Sequence, residues 1–171
     1  MTLSRGYRRL SLVPDGGFDG YICDDGGIFC YATAYDSWVG TSPHLGTLDA
    51  TIFSWAPYAH YGQGSGLLGS ATGVDAFAGT LAPAKPLMTV SGRRYKIEFF
   101  HSSSYSGNIA EREAYVQVVW NGDVVATIRP GYSGWMCYVF EVTGCGRDML
   151  AFTGGEAPAW SFIDDVKVFA M

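Results

Sequence analysis

The stretch Arg94-Tyr-Lys-Ile-Glu-Phe-Phe100 alternates between apolar and charged side chains with a period of two residues. Successive side chains of a β-strand point to opposite faces of a sheet. We therefore expect Tyr95, Ile97 and Phe99 to face a hydrophobic core, with the charged residues between them facing solvent. No segment carries a long apolar stripe with the 3.6-residue period of a helix, so we expect strands, with at most a short helical turn near 43–50 or 73–79.

The same alternation recurs beside a turn signal. Residues 115–120 predict a strand, and Asn121-Gly122 follows at once, a dipeptide that favours a tight hairpin because both residues accept a positive φ. Many short strands separated by glycine-rich turns are typical of a β-sandwich or jelly roll. Further strands are predicted at 124–128, 135–143, 148–153 and 160–169. The expected core contains Tyr95, Ile97, Phe99, Val116, Val118, Phe140, Phe152 and Val166.

Composition and charge narrow the class of protein. The chain has 171 residues with 10 Phe, 11 Tyr, 5 Trp and 23 Gly. We read residues 1–12 as a basic leader and 13–171 as one β-sandwich domain. A net charge of −5 argues against nucleic acid or an anionic membrane as the partner, since both require clustered positive charge. No stretch approaches the roughly 20 apolar residues of a membrane-spanning helix, so membrane insertion is not expected.

Four cysteines form two pairs that are close in sequence, Cys23 with Cys30 and Cys137 with Cys145. Neither pair has the Cys-x-x-Cys spacing of a zinc or redox site. We expect both pairs to form local disulfides, with buried free thiols as the alternative. The first residues contain no apolar signal segment, which leaves an intracellular protein or the mature form of a secreted domain. Disulfides persist in oxidising compartments, so the cysteine pattern favours the extracellular domain.

Acidic residues stand near both ends of the predicted domain, at Asp19 and at Asp164-Asp165. If the last strand is regular, Asp164 shares a face with Val166 and Val168 and points inward. A buried carboxylate requires hydrogen-bond donors or a cation. Calcium prefers oxygen ligands, which Asp19 and nearby turn carbonyls could complete; the alternative is that Asp164 only accepts hydrogen bonds from backbone N–H groups.

Four motifs carry a resemblance to a known family. Asp15-Gly-Gly-Phe-Asp-Gly20 resembles the Asn-Gly-x-Phe-Glu opening of galactose-binding-like jelly rolls, which include the carbohydrate-binding modules of families 4, 9 and 22. Phe162-Ile-Asp-Asp-Val-Lys-Val168 is similar to their closing Phe-x-Ile-Asp-Asp-Val-x-Leu strand. Between them, Gly66-Leu-Leu-Gly69 and the glycine and aromatic residues of 92–99 resemble the family's Leu-Gly and Gly-x-x-Tyr-x-Leu-x-Phe run.

The resemblance implies a two-sheet antiparallel jelly roll with a structural calcium ion. The residues that match the family's metal ligands are Asp19 and Asp164, with Asp165 as the alternate. Asp19 departs from the family pattern because it replaces a glutamate and is one methylene shorter.

Aromatic residues in predicted loops supply a candidate glycan-binding site. Sugars present flat C–H faces and hydroxyl groups, so their sites combine aromatic rings with short polar and charged side chains. The alternative is that these rings pack against the sheets, because aromatic residues dominate cores. The expected contact residues are Trp55, Tyr58, Tyr61, His101, Tyr105, Asn108, Glu111 and Arg112.

Catalytic motifs are sparse. The sequence contains no Gly-x-Ser-x-Gly and no His-x-x-x-His. We therefore expect a non-catalytic, lectin-like domain or carbohydrate-binding module whose partner is a glycan or polysaccharide. One alternative is a lyase on the same fold, which would bring His101, Tyr105 and either Arg112 or Lys96 together. Another is a surface or adhesion protein that binds a second protein through the same loops.

Overall fold

The structure is a computed structural model that describes residues 10–73, 77–105, 114–155 and 160–171. Three of the predicted contact residues, Asn108, Glu111 and Arg112, lie outside these ranges. Within them the strands are Cys30–Ala32 (β1), Trp38–Thr41 (β2), Ala50–Ser54 (β3), Gly64–Leu68 (β4), Gly79–Pro83 (β5), Leu87–Met88 (β6), Arg94–Ser102 (β7), Val116–Trp120 (β8), Asp123–Ile128 (β9), Met136–Thr143 (β10), Arg147–Asp148 (β11), Leu150–Gly154 (β12) and Ser161–Ala170 (β13).

Two antiparallel sheets form a jelly-roll β-sandwich, as the sequence predicts. The six-stranded sheet has the order β1-β3-β4-β13-β7-β10, and the five-stranded sheet has the order β2-β5-β12-β8-β9. A small third sheet pairs β6 with β11. The hairpin between β8 and β9 turns at Asn121 and Gly122, whose φ angles are 55° and 88°, which confirms the turn expected from this dipeptide.

The core between the two sheets contains the apolar residues that the period-two pattern selected. Seven of the eight expected core residues are buried: Tyr95, Ile97, Phe99, Val116, Val118, Phe152 and Val166. The eighth, Phe140, is half-buried and packs against the same core. Trp38, which follows the first loop, is completely buried and its ring contacts Phe18 at a centroid distance of 4.6 Å.

A β-bulge interrupts β13 and corrects the expected direction of Asp164. The register with β7 shifts between Asp164 and Lys167, and Asp165 has a φ of 50°. The extra residue lets both Ile163 and Val166 face the main core. Asp164 therefore does not share a face with Val166; it faces away from the main core, on the outer side of the six-stranded sheet.

Cys23 and Cys30 form a disulfide, whereas Cys137 and Cys145 are exposed free thiols. The predicted second bridge is therefore wrong. Cys137 lies near the start of β10, which stays extended through Thr143. Six residues of strand span about 20 Å, far beyond the roughly 4.4–6.8 Å between the Cα atoms of bridged cysteines.

In the described ranges no helix has the length and apolar character needed to cross a membrane.

Candidate functional site

The outer face of the six-stranded sheet carries a second apolar cluster, separate from the main core. Strands β3 and β4 are five residues long, while β13 and β7 have ten and nine residues. The connection 55–63 therefore folds back across the face of the longer strands. We call the rings that meet there the outer aromatic cluster, and its members are Phe53, Tyr58, Tyr105, Trp135, Trp160 and Phe162.

Tyr58 sits in the middle of this cluster. Its ring centroid lies 4.9 Å from that of Phe162, 5.0 Å from Tyr105, 6.0 Å from Phe53 and 6.2 Å from Trp160. With four aromatic neighbours the ring holds the 55–63 connection on the sheet. For Tyr58 this geometry favours the packing alternative over a role as a sugar platform.

Tyr105 and Trp135 form the half-buried rim of the cluster. The indole Nε1 of Trp135 donates a hydrogen bond of 3.0 Å to the Tyr105 hydroxyl. Burial raises the pKa of that hydroxyl. The segments that carry Tyr105 and Trp135 are held together by Ser103, whose N–H donates to the Ser133 carbonyl at 2.8 Å. The rim is thus a fixed pair of rings that keeps part of its surface in contact with solvent.

Trp160 completes the rim from the start of the last strand. Its Nε1 donates a hydrogen bond of 2.9 Å to the Ser70 carbonyl, and its ring stands edge-on to Phe162 at 6.2 Å. Sequence reasoning missed Trp160, Phe53 and Phe162. A usable signal was present, because Trp160 and Phe162 are two residues apart and share the strand face opposite Ile163.

The remaining predicted contact residues lie in different places. Trp55 stands edge-on to Phe29 at 5.7 Å, near the β1 edge of the sheet. Tyr61 projects into solvent with 76% of its surface exposed. His101 is completely buried and faces the main core, with its ring 6.3 Å from Tyr138. The expectation that His101 contacts a ligand is wrong. His101 continues the inward-facing alternation of Tyr95, Ile97 and Phe99, so its side chain points into the main core.

His60 bridges the 55–63 connection and the sheet. Its ring stacks on Phe100 at 3.8 Å with an interplanar angle of 13°. Its Nδ1 lies 2.8 Å from an Asp165 carboxylate oxygen, and its centroid is 5.5 Å from that of Trp135. These contacts place a polar group directly beside the aromatic rim.

Two carboxylates hold the end of the same connection. The Asp164 Oδ2 accepts hydrogen bonds from the N–H groups of His60 (2.7 Å) and Tyr61 (3.1 Å). The Asp19 Oδ1 accepts from the N–H groups of Gln63 (2.6 Å) and Gly64 (3.0 Å). The predicted backbone contacts of Asp164 are therefore present, and they hold the 55–63 connection over the outer aromatic cluster.

The same two carboxylates converge on Gly17. A Cβ at Gly17 would lie 3.5 Å from Asp19 Oδ2 and 3.9 Å from Asp164 Oδ1. Burial raises the pKa of the Asp164 carboxyl to about 7, so its charged form needs further stabilisation. This oxygen-rich arrangement fits a hard cation. The third predicted ligand, Asp165, turns away to His60, and the described residues contain no group of three acidic, His or Cys side chains around one point.

The open face of the five-stranded sheet presents a second candidate surface that sequence reasoning missed. Strand register aligns one hydrogen-bonding side chain from each strand in a single row: Thr41, Thr80, Thr153, Gln117 and Thr127. Within the row, the hydroxyls of Thr80 and Thr153 lie 2.9 Å apart. Such a row depends on pairing between strands that are distant in sequence, which no local pattern reveals.

The structure does not bring His101 and Tyr105 together, as the lyase alternative requires. His101 faces the main core, whereas Tyr105 belongs to the outer aromatic cluster on the opposite face. Lys96 lies six residues before Ser102 on β7, about 20 Å from the end of the strand that leads to Tyr105. His101, Tyr105 and Lys96 therefore do not come together as a lyase would require. Arg112, the other basic residue proposed, lies outside the described residues.

No protein-family model matches this sequence, and no curated protein sequence matches it. Solved structures match its fold. A family 61 carbohydrate-binding module in complex with β-1,4-galactotriose aligns with a TM-score of 0.59 and 16% identity, covering 95% of this chain and 99% of the module.

Two further structures show the same likeness. The family 22 module and family 10 hydrolase of Clostridium thermocellum xylanase 10B, complexed with xylohexaose, align with a TM-score of 0.57 and 13% identity, covering 80% of this chain and 26% of that one. The K3 cleaved adhesin domain of Lys-gingipain from Porphyromonas gingivalis aligns with a TM-score of 0.53 and 10% identity, covering 77% and 91%. At these identities the likeness concerns the fold alone: the chain has the jelly-roll fold that these carbohydrate-binding modules and the adhesin domain share.

Proposed function

We propose that this protein is a non-catalytic carbohydrate-binding domain that contacts a glycan through the solvent-facing rim of the outer aromatic cluster. The observation that carries the proposal is the fixed arrangement of Tyr105, Trp135 and Trp160, three half-buried rings that meet on one face. Rings locked before a ligand arrives lose little conformational entropy on binding. The flat C–H faces of a sugar fit such a surface, and the likeness to modules solved with oligosaccharides supports it.

Polar groups beside the rim suit the hydroxyls of the sugar. His60 and the exposed Tyr61 lie on the 55–63 connection. The His60 ring is 5.5 Å from that of Trp135, and the N–H groups of both residues donate to Asp164. The predicted partners Asn108, Glu111 and Arg112 follow Tyr105 in sequence, and their contribution belongs to the proposal. An exposed tyrosine beside packed rings provides both an apolar face and a hydroxyl.

A structural calcium ion belongs to the proposal as well. Asp19 and Asp164 would hold it, with backbone carbonyl groups completing the oxygen ligands. Bound calcium would supply positive charge to the buried Asp164 carboxylate and contribute no chemistry to binding. An extracellular location is proposed too, and the Cys23–Cys30 disulfide supports it.

Alanine substitution at the rim tests the proposed function. Trp135→Ala removes the ring that bonds Tyr105, and we expect it to weaken binding to a glycan selected from an array by about 2 kcal/mol, roughly 30-fold, because binding energy concentrates on aromatic anchors. Calorimetric titration gives the affinity, and the melting temperature reports folding. Tyr115→Ala is the control, since this half-buried ring lies outside the outer aromatic cluster, where the Arg129 guanidinium packs over it at 5.3 Å.

Gln117→Ala distinguishes the two candidate faces, because this residue lies in the row on the five-stranded sheet. If Gln117→Ala abolishes binding while Trp135→Ala leaves it intact, the glycan binds the other sheet. If the array detects no glycan with or without calcium, carbohydrate binding is refuted and the protein-binding alternative gains support.

A further inference from the structure

A groove separate from the outer aromatic cluster lies near the first strand. It has a volume of about 410 Å³ and runs between residues 20–24 on one side and 32–36 on the other. Volumes of roughly 300–1,000 Å³ are usual for sites that hold small molecules. The groove is therefore large enough to accept one or two sugar rings or a ligand of similar size.

Apolar and aromatic groups form part of its walls. The rings of Tyr21 and Tyr35 both line the groove, with centroids 5.9 Å apart and an interplanar angle of 46°. Ile22 stands at the same groove with 73% of its surface exposed. These side chains offer the kind of surface against which the C–H face of a sugar packs.

Among the described residues, the charged side chains that line the groove are all acidic. They are Asp24 and Asp36, and this part of the lining contains no Lys, Arg or His. Burial and, to a smaller extent, the nearby Asp24 carboxylate raise the pKa of the Tyr21 hydroxyl. A groove of this charge attracts a cationic group and repels a sulfated or uronic acid glycan.

One carboxylate ties the two walls together. The Asp15 Oδ2 accepts a hydrogen bond of 2.6 Å from the Tyr35 hydroxyl on one wall and one of 2.8 Å from the Gly20 N–H on the other. The Cys23–Cys30 disulfide closes the segment that follows the first wall. The groove is therefore held open by covalent and hydrogen bonds before any ligand arrives, which reduces the entropic cost of binding.

We propose that this groove binds an amino sugar, with the Tyr21 and Tyr35 rings against the sugar ring and the Asp24 and Asp36 carboxylates around its protonated amino group. The ligand combines an apolar face, hydroxyls and a positive charge, which are the chemical complements of the groove's walls and charge. This site is independent of the outer aromatic cluster, so it stands or falls separately from the proposed function.

The test compares two hexasaccharides with the same backbone. Hexaglucosamine carries protonated amines, and hexa-N-acetylglucosamine does not. Titration of the intact protein in the presence of a chelator should show binding of hexaglucosamine that weakens as the salt concentration rises to about 0.5 M. The double variant Asp24→Asn with Asp36→Asn should bind at least about tenfold more weakly, as expected for charge-assisted hydrogen bonds.

Two controls make the result specific. Asp123→Asn removes one negative charge at the β8–β9 hairpin, away from the groove, and should change the affinity less than twofold. The groove variants should leave binding of the neutral glycan that the array selects unchanged. Chemical-shift changes at the methyl groups of Ala32 and Ala34, which line the groove, should accompany hexaglucosamine binding.

Equal affinity of the wild type for the two hexasaccharides would overturn the proposal. So would undiminished binding of hexaglucosamine by the double variant, or shift changes confined to the outer aromatic cluster. Asp24, Asp36 and Asp123 are exposed, so the double variant and Asp123→Asn are expected to fold. Their melting temperatures verify this.

Discussion

His101 is a buried, neutral histidine whose two ring nitrogens have no hydrogen-bond partner among the residues that the structure describes. Burial lowers its pKa from 6.5 to about 4. Between these two pH values the unfolded chain binds a proton at this residue and the folded chain does not. The free energy of unfolding therefore falls as the pH is lowered from about 6.5 towards 4, by roughly 3 kcal/mol.

Urea unfolding at several pH values between 4 and 7 checks this expectation against the variant His101→Phe. The variant has no proton to bind, so its stability should decline less steeply towards acid than that of the wild type. His44→Gln is the control, since His44 is exposed, and its curve should parallel the wild type. Parallel curves for the wild type and His101→Phe would contradict the assignment.

At the scale of one element, the 55–63 connection depends on a glycine. Gly62 has a φ of 78°, and a Cβ there would lie 2.4 Å from both carboxylate oxygens of Asp19. Gly62→Ala therefore combines backbone strain with displacement of the carboxylate that bonds Gln63 and Gly64. We expect the free energy of unfolding to fall by about 1–3 kcal/mol. Glycan binding should also weaken, because the 55–63 connection would shift on the outer aromatic cluster.

Gly26→Ala provides the matched control. Gly26 has a similar φ of 69°, but a Cβ there would meet no atom within 4 Å. The substitution carries the backbone strain alone, so it should cost less than Gly62→Ala and leave glycan affinity unchanged. Equal losses in chemical denaturation would mean that contact with Asp19 does not position the connection.

Local periodicity accounts for the strands and for much of the core. The alternation through Phe99 and the turn at Asn121-Gly122 are local signals, and the structure confirms both. The bulge at Asp165 escaped prediction because a positive φ at a residue other than glycine has no strong sequence signature. The separation of Cys137 from Cys145 was likewise missed, since it follows from how long β10 remains extended.

The candidate site was only partly predictable, for a related reason. Tyr105 was identified because it lies in an aromatic loop, and its partner Trp135 stood in another such loop. The buried rings of the outer aromatic cluster, Phe53 and Phe162, lie on β3 and β13. These strands are distant in sequence and come close only because both pair with β4. Asn108 and its neighbours lie outside the described residues, so their expected role stays a prediction.

At the scale of the whole molecule, the proposed calcium site connects the first loop to the last strand. Asp19 and Asp164 are far apart in sequence, and both bond the 60–64 segment. Calcium that binds the folded state alone raises its stability by mass action. We expect chelation to lower the melting temperature without unfolding the domain at room temperature, because the main core lies elsewhere.

Differential scanning calorimetry with calcium, magnesium or chelator checks this prediction. Asp19→Asn should reduce the calcium-dependent shift, whereas Asp123→Asn should preserve it because Asp123 lies on β9. A melting curve that is indifferent to calcium and to chelator would refute the site.

The two unbridged cysteines give the molecule a built-in pair of labelling positions. Cys137 lies opposite Phe100 in the β7–β10 pairing, and Phe100 carries the stacked His60 ring beside the aromatic rim. Cys145 lies beyond the far end of β10. The emission of an environment-sensitive fluorophore on Cys137 would thus change when a ligand binds at the rim. The same dye on Cys145 would give the reference signal, because that position lies away from the rim.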